Sequence, residues 1–284
     1  MTFNDNAKID SSKVSRRGRN GAIAGGGGVV GIIAIFVISQ LTGVDLSQFL
    51  GGGAGGNGGG GGTDTPIANC DTGKQANDSL DCRIAAAADS LDTYWNGEFS
   101  SGYYSPKTRL FTDQTTTGCG TASSATGPFY CPSDESIYID TAFYDELRTR
   151  FGANGGPLSE LYVVAHEWGH HVQHISGVTD GLDLQQTGPD SDSVHLELQA
   201  DCFAGSWVGA ASETKAENGV PFLEPVTKAQ IADALSAASA VGDDRIQESA
   251  TGSVNKEAWT HGSSAQRQKS FQNGYANGSS ACTL

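Results

Sequence analysis

The chain has 284 residues, with 32 acidic against 17 basic side chains and a formal net charge of −15. That length allows one large domain or two small ones, and an acidic chain without a basic stripe does not suit nucleic-acid binding. Much of the glycine sits in two blocks, 25–28 and 51–62. Setting aside the first 65 or so residues leaves about 220, the size of a single domain with a well-buried core.

Residues 1–20 carry Lys8, Lys13, Arg16, Arg17 and Arg19 against Asp5 and Asp10 only. The next 24 residues, GAIAGGGGVVGIIAIFVISQLTGV (21–44), hold no charge, a length sufficient to span a bilayer as a helix. A secretory signal peptide is the competing reading, but no A-x-A pattern follows the apolar run. The expectation is one retained transmembrane helix at 21–44. The basic residues precede it, which assigns 1–20 to a cytoplasmic tail and the rest to the extracytoplasmic side of the cell membrane. The Gly-rich linker at 45–65 reaches roughly 20 Å by random-coil scaling of its dozen-residue core, enough to hold a domain (66–284) off the surface.

Six cysteines, an even number, fit an oxidising compartment. Short loops suggest Cys70–Cys82 and Cys119–Cys131, which leaves Cys202–Cys282. None has CxxC spacing, so a cysteine zinc site is not expected.

The first helix of the domain is expected within 78–99, where Leu80, Ile84, Ala87, Ala88 and Leu91 recur at helical spacing. Residues 109–131 read as a loop closed by a disulfide. SIYID (136–140) alternates as a half-buried strand does, and could serve as an edge on which an extended peptide aligns. A short helix follows at 141–152. Pro157 then opens a longer helix that Gly177 closes. Further helices are expected at 191–211, from Thr227 to about Gly242 behind a TKAQ capping box, and at 264–273. The domain is therefore α+β, mostly helical with a small sheet.

Four of the six histidines lie within VVAHEWGHHVQHISG (163–177). His166 and His170 are four apart and share a helix face, as two ligands of one tetrahedral zinc ion must. Glu167 lies beside them, able to reach a water on the metal without becoming a ligand. The metzincin continuation would need Gly and His at positions 173 and 176; Gln173 and Ser176 stand there. HLELQAD (195–201) serves better. Glu197 and Asp201 share a face four residues apart, so Glu197 can be the third ligand and Asp201 can accept the free N–H of a ligand histidine. His171 lies about 100° around the helix from His170 and is expected to pack or hydrogen-bond. A His170–His174 pair is geometrically possible but lacks the adjacent glutamate. His195 points away from Glu197, and Trp168 and Trp207 read as core. His261, in THGSSAQR, is a candidate donor to the oxyanion of a tetrahedral intermediate, against the alternative of an ordinary surface or capping histidine; Tyr130 and Tyr138 are weaker candidates.

HEWGHHVQH, ELQADCFAG and THGSSAQR, in this order, resemble a bacterial family called the putative neutral zinc metallopeptidases. The resemblance covers most of 65–284 and extends to the layout of basic N-terminus, span, spacer and domain. It implies a gluzincin-like metalloprotease fold, His166, His170 and Glu197 as ligands of one zinc ion, and Glu167 as base. The expected function is a membrane-anchored zinc peptidase acting on a peptide or protein, with no nucleic-acid partner. The alternative is a non-enzymatic binding module with a structural zinc, although such sites are normally closed by four protein ligands. A deformylase-like hydrolase is disfavoured, because no suitable glycine-flanked Cys motif is present.

Overall fold

A computed structural model describes residues 3–18 and 63–284. It pairs a small mixed sheet with eight α-helices among those residues. The sheet uses β1 (Val14–Arg17), β2 (Asp64–Pro66), β3 (Lys107–Phe111), β6 (Phe129–Cys131) and β7 (Ser136–Asp140) in the order β2-β1-β3-β7-β6. Strands β1, β3 and β7 run parallel, while β2 and β6 close the two edges antiparallel. A separate hairpin, β4 (Gln114–Thr117) and β5 (Gly120–Ser123), projects between β3 and β6.

The helices are α1 (Gly73–Asp78), α2 (Leu80–Glu98), α3 (Phe143–Thr149), α4 (Pro157–Ile175), α5 (Asp192–Ala210), α6 (Lys228–Ala240), α7 (Asp243–Thr251) and α8 (Ser264–Asn277). Their starts follow local chemistry. Pro157 occupies the first turn of α4, and Ser191 accepts from the Val194 N–H at the head of α5. Thr227 with Gln230 and Ser263 with Gln266 form reciprocal capping boxes on α6 and α8. Trp168 on α4 and Trp207 on α5 are fully buried, at the centre of the apolar core. The three disulfides are Cys70–Cys82, Cys119–Cys131 and Cys202–Cys282, as the loop lengths suggested.

Three expectations need correction. SIYID is neither half-buried nor an edge: β7 lies between β3 and β6, and all five residues are buried. Its polar positions are satisfied inside, with Arg109 donating to Ser136 Oγ and Tyr138 Oη at 2.8 Å each. The stretch 109–131 is not one loop, since it holds the end of β3, the hairpin and β6. The third correction concerns the N-terminus. Residues 3–18 are not a separate tail, because Phe3, Ala7, Ile9 and Val14 belong to the domain's core cluster. β1 is an internal strand between β2 and β3. Lys8, Lys13, Arg16 and Arg17 all pair with acidic side chains, including Glu217, Asp92, Asp81 and Asp64. The expected span at 21–44, and most of the linker at 45–65, lie outside the described residues. Among the described residues no helix is long and apolar enough to cross a membrane.

Phe3 is 2% exposed. Truncating a buried Phe costs about 3–5 kcal/mol, so Phe3→Ala is expected to lower the denaturant midpoint of the whole chain clearly. An unchanged midpoint would show that the segment contributes nothing to the folded domain.

Candidate metal centre

Two helices build the site. α4 presents His166, Glu167 and His170, and α5 presents Glu197 and Asp201. The helices approach closely where Gly169 faces Ala200: a Cβ on Gly169 would lie 3.0 Å from the Ala200 Cα and 3.1 Å from its carbonyl oxygen. The glycine inside HEWGH therefore lets the helix bearing Glu197 come within reach of both histidines. All five side chains are buried.

Glu197 lies between the two imidazoles. Its Oε2 is 3.1 Å from His166 Nε2, and its Oε1 is 3.4 Å from His170 Nε2. One ligand atom from each of the three residues falls within 4.8 Å of the others. The opposite ring nitrogens are held from behind. His166 Nδ1 is 2.8 Å from Asp201 Oδ1, and His170 Nδ1 is 2.9 Å from the side-chain oxygen of Gln173. Gln173 is itself fixed, donating to the Leu196 carbonyl at 2.7 Å. Both Asp201 and the Gln173 oxygen accept, so each Nδ1 is a donor, and each Nε2 is the nitrogen turned to Glu197 that would ligate an ion in place of a proton. Asp201 in turn accepts from Arg267 Nε at 2.7 Å and Nη2 at 3.1 Å, and from the Tyr162 hydroxyl.

The electrostatics favour positive charge between these residues. Burial opposes a proton on His166, yet Asp201 and Glu197 raise its pKa to about 10. Burial would also neutralise Glu197, but His170, His261 and His166 hold its carboxyl well below the usual range. Glu167 behaves differently: burial dominates and raises its pKa.

Two imidazole nitrogens and one carboxylate are a zinc donor set that leaves one position open. The residues fit such an ion on a second count. Glu197 Oε1, Glu167 Oε2 and His261 Nε2 are buried without a hydrogen-bond partner, a rare condition for polar atoms in folded proteins. Their residues line one cleft, which encloses about 590 Å³ including space open to solvent.

The structure brings His261 to this cleft although it lies 64 residues beyond Glu197 in the chain. Asp243 fixes it from outside, its Oδ2 accepting from the backbone N–H groups of Thr260, His261 and Gly262 at 2.8, 2.7 and 3.0 Å. His261 Nδ1 contacts Thr260 Oγ1 at 2.8 Å and Asp243 Oδ1 at 3.3 Å, which turns Nε2 toward the cleft. Burial disfavours a proton on this ring, but Glu197 and Asp243 outweigh it and raise its pKa.

The other histidines stand apart. His171 is fully buried between the Tyr130 hydroxyl (3.1 Å) and the Tyr104 carbonyl (2.7 Å), and burial lowers its pKa to about 4. His174 is half-buried against the Tyr130 ring. His195 borders a different groove, beside Cys202 and Cys282. Tyr130 and Tyr138 do not line the cleft; Tyr138 donates instead to Asp134 at 2.7 Å. Sequence reasoning gave no role to Gln173, Arg267 or Asp243. Gln173 had a usable signal, since it sits three residues after His170 on the same helix face. Arg267 and Asp243 gave none, because their partners are distant in sequence.

A buried HExxH helix, a following helix with Glu and Asp one turn apart, and an open fourth position define a zinc-metallopeptidase type of site. The profile of one family, described as "Putative neutral zinc metallopeptidase", matches residues 3–283, and the chain belongs to that family. It is 47% identical over 280 residues to an uncharacterized protein of Mycobacterium tuberculosis, Rv2575, covering 98% of this chain and 95% of the relative. The Mycobacterium bovis protein Mb2605 matches to the same extent. Escherichia coli YpfJ, also uncharacterized, is 34% identical over 266 residues, covering 91% of this chain and 86% of the relative. No solved structure matches the chain.

Loss of a partner behind a metal ligand typically costs 10–100-fold in affinity. Gln173→Ala is therefore expected to weaken zinc binding by about that factor in a chelator competition, and Glu197→Ala to remove most of the bound metal. His171→Ala is expected to leave zinc stoichiometry unchanged; a loss of metal there would move the site along α4.

Proposed function

We propose that the chain is a gluzincin-type peptidase holding one zinc ion on His166, His170 and Glu197. It hydrolyses peptide or protein substrates outside the cytoplasm, at a membrane reached through residues 21–44. The observation that carries the catalytic reading is Glu167, whose buried Oε2 has no partner beside a donor set with one open position. A glutamate that served only packing would have both oxygens satisfied or exposed. Three disulfides support the compartment, since such bonds persist in oxidising surroundings.

A zinc ion held by His166, His170 and Glu197 would supply Lewis acidity and would make a water nucleophilic near neutral pH. Glu167 takes a proton from the attacking water at Oε2 and returns it to the leaving amine. His261 Nε2 donates to the oxygen on which negative charge develops, held in place beforehand by Asp243. Asp201 and Gln173 keep the two ligand rings in one tautomer and orientation. Pro128, Phe143, Phe151, Val163 and Val241 form an apolar wall of the cleft beside the polar cluster. The binding-module reading needs a closed site, whereas among the described residues the metal-binding group has three members.

Glu167→Gln is expected to keep zinc and the native circular dichroism while lowering kcat by about 10²–10⁴, the usual worth of a general base. Wild-type turnover by that variant would overturn the mechanism. His261→Ala is expected to lose about 10²–10³ in kcat.

A further inference from the structure

The N-terminal segment has a topological consequence that does not depend on the catalytic reading. β1 pairs with β3 on one side and with β2 on the other, in the register Arg17↔Asp64, Arg16↔Thr65 and Ser15↔Pro66. The two ends of the chain that flank residues 19–62 therefore meet: the Gly18 N–H donates to the Thr63 carbonyl at 3.3 Å.

The docking is extensive. The Asn4 N–H donates to the Phe222 carbonyl, and the Phe3 N–H to the Asn77 side chain, both at 2.9 Å. A Cβ on Gly73 would lie 1.9 Å from the Asn4 carbonyl oxygen, so the segment and the start of α1 touch backbone to backbone. Arg16 Nη2 contacts both oxygens of Asp81, at 2.7 and 2.6 Å. Four of the five positive charges that would mark a cytoplasmic tail are taken up in ion pairs with the domain itself.

A single crossing by the apolar stretch would separate residue 18 from residue 63 by a bilayer core of about 30 Å. These residues are hydrogen-bonded, so a single crossing requires β1 to leave the sheet. That would strip β3 of one of its two neighbours, expose Phe3, Ala7, Ile9 and Val14, and leave four cations and their acidic partners apart.

We infer that residues 3–18 and the metal centre lie on the same side of any membrane the chain contacts. The strand order adds an orientation. Gly18 and Thr63 adjoin at the β2–β1 edge, whereas the cleft is bordered by Thr126 and Pro128, next to β6 at the opposite edge.

The test uses the full chain in intact bacterial cells with a membrane-impermeant maleimide. Asn6→Cys and Ser101→Cys, both at exposed positions, are labelled separately before and after permeabilisation. The expected result is one shared pattern, with both labelled in intact cells or both only after permeabilisation. Opposite patterns overturn the inference. A paired variant, Arg17→Cys with Asp64→Cys, guards against a disturbed segment. It is expected to form an intrachain cross-link on mild oxidation of membranes, and its failure to do so overturns the docking on which the inference rests. Neither readout requires activity, so a loss of the peptidase reading would leave both outcomes interpretable.

Discussion

The Asp201 carboxylate is the interaction on which the site depends. It is fully buried on α5, yet it meets His166 and Tyr162 from α4 and the guanidinium of Arg267 from α8. Burial opposes its charge, and Arg267 and His166 together hold its pKa below the ordinary aspartate value. Three helices are thereby tied through one ion. Removing one partner from such a buried pair typically costs 3–5 kcal/mol, because the other charge is left uncompensated. Arg267 is also 3.6 Å from Glu197, so the same cation steadies a second buried carboxylate. Orientation of the metal-facing imidazole and cohesion of the helices are one interaction here.

The remainder of the site shows where the fold accepts instability. Glu167 and Glu197 are carboxylates in a largely apolar cleft, and each keeps an oxygen without a hydrogen bond. A core assembled for stability alone would satisfy or replace them. What offsets them is the packing around Trp168 and Trp207, the disulfides, and the close α4–α5 approach at Gly169. Local instability around a well-packed frame is the usual layout of a preorganised functional site.

Much of the centre was legible because its logic is local. The i, i+4 spacing of His166 and His170, and of Glu197 and Asp201, follows from helix geometry alone. Cysteine pairing followed from loop length. Illegible features were those that depend on distant partners. β1 reads VSRR, polar and basic, and becomes a strand only because Asp64, Tyr138 and the edge of β3 receive it. β3 reads KTRLF, where Thr108 and Arg109 break the alternation, and Arg109 is buried only because Ser136, Tyr138 and Asp64 satisfy it. β7 looked half-exposed for the same reason, its polar side chains being matched from the neighbouring strand. α7 was missed because it starts one turn past the end of α6, behind a single glycine.

The bridge between Phe3 and Leu223 bears on the order in which the chain can fold. Residues 3–18 find their partners in stages along the chain: β2 at 64–66, Asp71, Gly73 and Asn77 around α1, β3 at 107–111, and residues 222 and 223 only much later. Such long-range closure is slow relative to helix formation. All five sheet strands lie within residues 14–140, so the sheet can close early, and the contacts of this segment with residues 217–223 are the ones that wait for the far half of the chain.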